Sequence, residues 1–262
     1  MGKFWSLFFL LVPILGVVCF ALGPIYNIWL PPDISQHGHT IDHLFYFILW
    51  LTGVVFVITE VVLVYFLWKY DGRDKTRPVA FTHGSHALEL VWTILPAFTL
   101  LFIAIYQMNA WADSKMRKPK MLPTVEVMAR QFEWRLRYPG KDNQLGTPDD
   151  IFLVNDLHLP VNEEILVDLK SMDVLHSFFL PNARVKQDAV PGMKIPVWFR
   201  ATEIGKYDLV CAELCGWGHY KMKGRLTIES RDDFEVWLAN KYQEQEATQE
   251  TQRVASAKEV NQ

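Results

Sequence analysis

The stretch Cys211-Ala-Glu-Leu-Cys215-Gly-Trp-Gly-His219-Tyr-Lys-Met222 is the part of this 262-residue chain around which the rest is organised, and His176 lies 35 residues before its first cysteine. Two thiolates, two imidazoles and one thioether form a soft ligand set that suits copper, whereas magnesium and calcium prefer oxygen ligands. A mononuclear blue-copper site needs two histidines, one cysteine and a weak axial methionine. The second cysteine therefore allows two copper ions bridged by both sulfurs.

The two cysteines of this stretch have three other interpretations. Cys211 and Cys215 could form a disulfide in an oxidising compartment. With the two histidines they could instead make a tetrahedral zinc site, or they could be ordinary buried thiols. Met222, three residues after His219, favours copper, because neither a disulfide nor a structural zinc site requires a thioether. Cys19 lies in an apolar run, so the globular part has only one possible cysteine pair and is not a disulfide scaffold.

These residues resemble the subunit II family of the haem-copper cytochrome c oxidases, whose domain carries the dinuclear copper centre CuA. The family motif Cys-x-Glu-x-Cys-x3-His-x2-Met is present, and the segments Asp173-Val-Leu-His176-Ser and Asp188-Ala-Val-Pro-Gly192 match its flanks at the expected separation. The resemblance extends back to Glu89-Leu-Val-Trp92-Thr-Ile-Leu-Pro96, so it covers most of residues 42–229.

The resemblance implies a fold and a ligand set. By this likeness the domain is a cupredoxin-like Greek-key sandwich, which brings distant parts of the chain together at one end. Both cysteines bridge the two copper ions, each histidine binds one ion, the methionine is a weak ligand and a glutamate contributes its backbone carbonyl. The implied metal residues are His176, Cys211, Glu213, Cys215, His219 and Met222.

The resemblance also implies a respiratory function. A family member accepts electrons from cytochrome c at CuA and passes them to haem in subunit I, where oxygen becomes water and protons are pumped. The expected partners are subunit I, subunit III, cytochrome c and membrane lipid, with haem only in the partner subunit. The formal net charge of −3 argues against nucleic acid, which requires a basic stripe. The alternatives are a copper-free quinol oxidase type of subunit, which the intact ligand set opposes, and a membrane-anchored copper-binding or assembly protein.

Three apolar stretches predict transmembrane helices at residues 4–22, 44–68 and 88–108. The first could also be a signal peptide, but no small-residue cleavage site precedes Pro31, so a retained helix is favoured. The basic segment at residues 69–77 predicts a cytoplasmic hairpin. The family likeness places the large domain on the periplasmic side of a bacterial-type inner membrane. The expected divisions are a first anchor at residues 1–30 and a helical hairpin at residues 31–112.

After residue 122 the pattern changes from helical to alternating, which predicts a β-domain at residues 113–230. Short strands separated by proline, glycine and asparagine predict an antiparallel sandwich. Ser230-Arg-Asp-Asp233 predicts a capping box that opens a short amphipathic helix, and a polar tail completes residues 231–262. The expected strands are residues 124–129, 131–138, 164–169, 195–200, 206–210 and 225–228.

The segment Gln131-Phe132-Glu133-Trp134 departs from the family, which usually has Gln-Trp-aromatic-Trp at this place. The first of those tryptophans is where electrons usually enter, so the resemblance assigns this role to Phe132 with Trp134. Phenylalanine is harder to oxidise and lacks the indole N–H. This suggests the hypothesis that a membrane-tethered or complex-bound cytochrome c replaces the soluble donor. Asp173 and Asp188 are the carboxylates expected to attract a basic donor.

Glu89 lies at the start of the third predicted span. By resemblance it marks the entrance of a proton-uptake channel into the catalytic subunit, and a carboxylate at the membrane edge can pass protons to a neighbouring water chain. The alternative is a negative charge at a helix start, which the helix macrodipole favours. The sequence leaves both interpretations open.

The segment Lys-Asp-Asn-Gln-Leu-Gly-Thr-Pro-Asp-Asp at residues 141–150 is an insert relative to the family. Asp142, Asn143, Asp149 and Asp150 could bind calcium through their oxygen atoms. The same residue types are common in plain turns. Because the full EF-hand spacing is missing, the sequence favours a turn.

Overall fold

The computed structural model describes residues 2–26, 28–70, 81 and 83–260, and within those ranges the side chains of residues 3–248. The chain forms two compact units. The first contains residues 1–31 and 40–109, and the second contains residues 32–39 and 110–262. Most of the predicted cytoplasmic hairpin at residues 69–77 lies outside the described residues.

Three long apolar helices form the first unit, which confirms the three spans expected from the sequence. They are α1 (Gly2–Ile25), α2 (Gly38–Lys69) and α3 (His86–Tyr106). Each is long and apolar enough to cross ~30 Å of hydrocarbon. Most of their large apolar side chains are exposed, so these faces must be covered by lipid or by other membrane helices.

Two five-stranded sheets form the second unit, after a short helix α4 (Met108–Lys115). The strands are β1 (Val125–Arg130), β2 (Glu133–Tyr138), β3 (Ile151–Val154), β4 (Asp156–Pro160), β5 (Glu164–Ser171), β6 (His176–Leu180), β7 (Val185–Ala189), β8 (Ile195–Arg200), β9 (Gly205–Cys211) and β10 (Lys223–Glu229). One sheet has the order β3-β2-β1-β5-β8, and the other has the order β4-β10-β9-β6-β7. The predicted sandwich is confirmed.

The sequence predicts an antiparallel sandwich, but the strand pairing in the structure is mixed. β1 and β5 are parallel neighbours, and so are β4 and β10. In each case the chain visits the opposite sheet before it returns, and such a crossover can bring a strand back in the same direction. The other described pairs between these strands are antiparallel.

Four strands are absent from the sequence prediction: β3, β4, β6 and β7. β3 and β4 are only four and five residues long. β6 is buried at almost every position, and β7 is a polar strand at a sheet edge. β4 alternates polar and apolar residues over only its first four positions, and the other three segments do not show the alternation that identifies a half-buried strand.

The core lies between the two sheets, and a charge cluster on the opposite face of β1 is also buried. Val125 and Val127 of β1 are fully buried, as the alternation along a strand requires. Glu126 between them is only 2% exposed, and its carboxylate is paired with Arg137 and Lys170. Pairing offsets the cost of removing that carboxylate from water.

The C-terminal helix α5 (Arg231–Val260) is longer than the short helix with a polar tail expected from the sequence. Its start has the predicted cap, since the backbone N–H of Asp233 donates to the Ser230 hydroxyl at 3.1 Å. Trp237 packs it onto the sandwich by stacking on His158 of β4, with ring centroids 4.0 Å apart. The later residues are mainly alanine, glutamate, glutamine and lysine, whose high helix propensity extends the helix.

The insert at residues 141–150 forms a closed turn. The Asp142 carboxylate accepts the backbone N–H of Gln144 at 2.9 Å, and the Asp150 carboxylate accepts that of Gly146 at 2.7 Å. Asp150 is also fully buried, 3.6 Å from Arg137. These bonds account for the acidic residues as parts of a turn, the interpretation that the sequence favours.

Candidate metal centre

Two neighbouring strands and one loop bring the predicted ligands together. β6 begins at His176, and its antiparallel neighbour β9 ends at Cys211. Phe178 and Cys211 are opposite each other across this pair, which places His176 beside the end of β9. Residues 211–222, here named the metal loop, connect β9 to β10 and carry the other predicted ligands.

The donor atoms of these side chains form one small cluster. The Sγ atoms of Cys211 and Cys215 are 3.9 Å apart, and both thiols are free. His176 Nδ1 is 3.9 Å from the Cys211 sulfur, and His219 Nδ1 is 3.6 Å from the Cys215 sulfur. Met222 Sδ is 3.8 Å from the Cys215 sulfur. Each sulfur therefore has a histidine nitrogen within 3.9 Å, and the disulfide interpretation does not apply to this arrangement.

The cluster is shielded from solvent and its chemistry fits copper. His176 is 0% exposed, Met222 1% and Cys215 4%. The carbonyl oxygen of Glu213 lies 3.3 Å from the Cys211 sulfur, so it faces the same space. Zinc could use the two cysteines and two histidines, but it would leave the buried thioether without a function. Thiolate, imidazole and thioether together match the ligand preferences of copper.

Asp173 holds His176 in an orientation that suits metal binding. One carboxylate oxygen is 2.8 Å from His176 Nε2, and the other accepts the backbone N–H of Gln131 at 2.8 Å. Histidines that bind metals usually donate their second ring N–H to such a carboxylate, which fixes the ring and its tautomer. The arrangement leaves His176 Nδ1 free to face Cys211.

The two thiols differ in acidity even without a metal. Burial opposes ionisation of Cys211, but hydrogen bonds with His176 and nearby backbone groups lower its pKa to about 6. Burial and the adjacent charge of Cys211 raise the pKa of Cys215. Burial tends to lower the pKa of His176, yet its contacts with Cys211 and Asp173 raise it overall. One thiolate therefore forms readily, and a bound cation would favour the second.

The two residues that connect β1 to β2, Gln131 and Phe132, contact the metal loop and support it. The Gln131 side chain donates to the carbonyl of Cys215 at 2.6 Å. A Cβ atom on Gly218 would lie 2.5 Å from the Phe132 ring, so only glycine allows this ring to pack on the loop backbone. Gly216 has a φ of +133°, a conformation that glycine adopts at little cost. Gln131 belongs to a motif of the family, but nothing in the sequence indicates that its side chain supports the metal loop.

The other predicted functional residues lie in different environments. Phe132 is half-buried under the metal loop, and Trp134 is fully buried between His176 and the core. Asp188 lies on β7, opposite a residue of β6. Glu89 is in the first turn of α3 in the membrane unit, with a half-exposed side chain. A docked protein could therefore not touch Trp134.

Comparisons with known proteins identify the family of this chain. The family model described as cytochrome c oxidase subunit II, transmembrane domain, matches residues 23–110. The one described as cytochrome c oxidase subunit II, periplasmic domain, matches residues 135–230. The alternative cytochrome c oxidase subunit 2 of Bradyrhizobium diazoefficiens is 30% identical over 251 residues, covering 87% of this chain and 89% of that protein.

A second relative and a solved structure are also similar. The cytochrome c oxidase subunit 2 of Cereibacter sphaeroides is 29% identical over 237 residues, covering 79% of this chain and 78% of that protein. The crystal structure of the periplasmic domain of subunit II of cytochrome oxidase from Bradyrhizobium japonicum is 27% identical, with a TM-score of 0.43, covering 48% of this chain and 97% of that chain. The family models and the Bradyrhizobium diazoefficiens relative show that this chain belongs to the cytochrome c oxidase subunit II family, as a membrane-anchored oxidase subunit whose copper-binding domain is periplasmic.

Proposed function

We propose that the metal loop and His176 hold a dinuclear copper centre of the CuA type, which accepts electrons from cytochrome c for delivery to haem in subunit I. The observation that carries this proposal is the paired arrangement of donors, with two sulfurs 3.9 Å apart and a histidine nitrogen within 3.9 Å of each. A mononuclear copper site needs only one of the two sulfurs. Two sulfurs that both ions can share, with one histidine for each ion, suit a pair of copper ions.

The proposed ligand set follows the grouping of the donors. His176 and the Glu213 carbonyl lie beside the Cys211 sulfur. His219 and the thioether lie beside the Cys215 sulfur. The proposed ligands are His176, Cys211, Glu213 through its carbonyl, Cys215, His219 and Met222.

The protein contributes a ligand cage that is already formed. When bound, the copper pair supplies one-electron oxidation and reduction with the charge shared over two ions. Asp173 fixes the ring of His176, and Gln131 fixes the carbonyl of Cys215. All the donor side chains except that of His219 are buried, which keeps water away from them. A preorganised cage of this kind needs little rearrangement when charge arrives.

The oxygen chemistry is assigned to partner subunits. In this proposal subunit I holds the haem and reduces oxygen to water with proton pumping, while subunit III and lipid complete the membrane assembly. The exposed apolar faces of α1, α2 and α3 support such partners, since a helix face of this kind is stable only against lipid or another apolar surface. The donor is a cytochrome c, either soluble or bound in a complex.

Metal content and spectroscopy of the purified oxidase test the proposed centre. We expect two copper ions assigned to this subunit, an EPR signal from one unpaired electron shared by both ions, and near-infrared absorption. Metal analysis, EPR and absorption spectra on one preparation give all three results. A single zinc ion, or a disulfide between Cys211 and Cys215, in fully active protein would contradict the proposal.

Replacing Asp173 with asparagine is expected to weaken copper binding by ~10–100-fold, the usual cost of losing the partner of a metal ligand. Asparagine keeps the shape but removes the negative charge that orients His176. Competition titration of the purified subunit with a copper chelator measures the affinity. Asp188→Asn is the matched control, because its carboxylate has no described hydrogen bond to a proposed ligand. Equal losses in both variants would show a general charge effect instead.

Replacing Glu89 with glutamine is expected to slow turnover by about tenfold or more, because a positioned proton-transfer group contributes ~100-fold or more. The side chain is half-exposed in the first turn of α3, where a proton could enter from water. Oxygen consumption under excess donor measures turnover. Glu89→Asp keeps a carboxylate and should restore most of the rate. If glutamine leaves turnover unchanged, the residue is only a favourable helix-start charge.

A further inference from the structure

Trp217 is the most exposed large apolar side chain among the described residues of the periplasmic domain, at 81%. Its neighbours in the metal loop, Leu214 and Tyr220, are 76% and 68% exposed. Tryptophan and tyrosine at the centre of a contact contribute more to binding than most other residues. Exposed apolar side chains grouped in this way indicate a surface that another molecule covers.

Trp217 also lies in the middle of the ligand-bearing loop, two residues after Cys215 and two before His219. Its indole contacts the Phe132 ring edge-to-face, with centroids 5.3 Å apart. Phe132 in turn packs on the loop backbone at Gly218. Phe132 is thus a support under the loop, and Trp217 is the aromatic ring that meets the solvent.

The charge next to this ring is positive. The Lys221 ammonium lies 6.0 Å from the Trp217 ring centroid and 5.5 Å from that of Tyr220. A donor that presents a ring of lysines would be repelled at this point. The carboxylate of Asp173, expected to attract such a donor, is already bonded to Gln131 and His176. The contact surface therefore fits an apolar patch without an excess of positive charge.

We propose that Trp217 is the residue that contacts the electron donor, in the role that the family gives to the position of Phe132. The inference rests on the proposed function. The partner is a c-type cytochrome that covers Trp217, Leu214 and Tyr220 with the apolar surface around its exposed haem edge. The ferrous haem of the donor loses one electron and becomes ferric, and the metal centre gains that electron. No covalent bond forms or breaks.

The test compares Trp217→Ala with the wild type in the purified oxidase, using a purified c-type cytochrome as the probe. We expect the affinity for the oxidised cytochrome, measured by surface plasmon resonance, to fall by ~10-fold or more, as for the loss of a central tryptophan. The value of kcat/KM for the reduced cytochrome should fall by a similar factor. Turnover with a small artificial reductant and the copper spectrum should stay unchanged. Trp217→Phe should restore most of the binding.

Phe152→Ala is the matched control for loss of an exposed aromatic ring. Phe152 is 59% exposed, and its partner across the sheet is Arg137 of β2, five residues beyond Phe132. Five residues of extended chain place Arg137 roughly 16 Å from Phe132, the residue that packs on the metal loop. This variant should bind and oxidise the cytochrome within about twofold of the wild type, because peripheral contacts contribute little.

Different results would overturn the inference and the proposed function. Unchanged cytochrome binding in Trp217→Ala, with normal copper spectra in the wild type, would remove only the role of Trp217. A copper spectrum altered by Trp217→Ala would also overturn it, because the residue would then maintain the loop. Loss of binding in Trp217→Ala while the wild type lacks the dinuclear copper signal would support the contact and remove the proposed CuA function.

Discussion

Replacing Cys215 with serine is expected to abolish the dinuclear copper signal and to reduce cytochrome c oxidation by at least ~100-fold. Loss of the hydrogen-bond partner of a metal ligand already lowers metal affinity or activity by ~10–100-fold, and this change removes a ligand atom itself. The Cys215 sulfur lies near three other donor atoms. It is 3.9 Å from Cys211 Sγ, 3.6 Å from His219 Nδ1 and 3.8 Å from Met222 Sδ. Copper analysis, EPR and oxygen consumption on the purified oxidase measure the effect.

Cys19→Ser is the matched control for this substitution. Cys19 is an exposed free cysteine of α1, in the membrane unit. The same loss of a thiol there should leave copper content and turnover unchanged. If Cys215→Ser kept two copper ions and normal turnover, the sulfur would not be a bridging ligand. A loss of copper in both variants would instead indicate a defect in assembly of the subunit.

The ligand set was predictable because its chemistry is rare and mostly local. Four of the proposed side chains lie within the metal loop, so their spacing alone brings them close together. His176 lies 35 residues away, and its residue type and the family resemblance, not its spacing, linked it to the loop. The structure explains the link, since β6 and β9 are neighbours in one sheet. Long apolar helices are equally local features, which is why all three spans were predictable.

The roles of the surrounding residues were not predictable, because they depend on which face of the folded domain each side chain occupies. Asp173 is an exposed carboxylate, as expected for a docking residue, but both of its oxygens already have hydrogen-bond partners, Gln131 and His176, within the domain. Phe132 and Trp134 match the positions where electrons enter in the family, which stays a prediction, and the fold adds that one ring packs on the loop and the other lies in the core. Trp217 lies between two glycines in the sequence, and its exposure emerges only from the folded loop.

Replacing Trp134 with alanine is expected to destabilise the periplasmic domain by ~3–5 kcal/mol, the usual cost of removing a large aromatic side chain from a core. Trp134 is 0% exposed and packs edge-to-face on Phe178 of β6, with ring centroids 5.7 Å apart. Because a whole domain is typically stable by only ~5–15 kcal/mol, the loss is a large fraction of the total. Urea unfolding of the metal-free chain in detergent, followed by circular dichroism of the β-domain, measures it.

Trp217→Ala is the control within the same domain, and it should change the unfolding free energy by less than ~0.5 kcal/mol because the side chain is 81% exposed. Trp134→Phe should cost less than Trp134→Ala, since it keeps an aromatic ring and removes an indole N–H that has no described hydrogen-bond partner. The Trp134 ring also lies beside the His176 ring, at 6.5 Å between centroids. The alanine variant should therefore also bind copper more weakly, because the cavity lets that histidine move. Equal stability of Trp134→Ala and Trp217→Ala would mean that Trp134 does not hold the sheet that carries the metal loop.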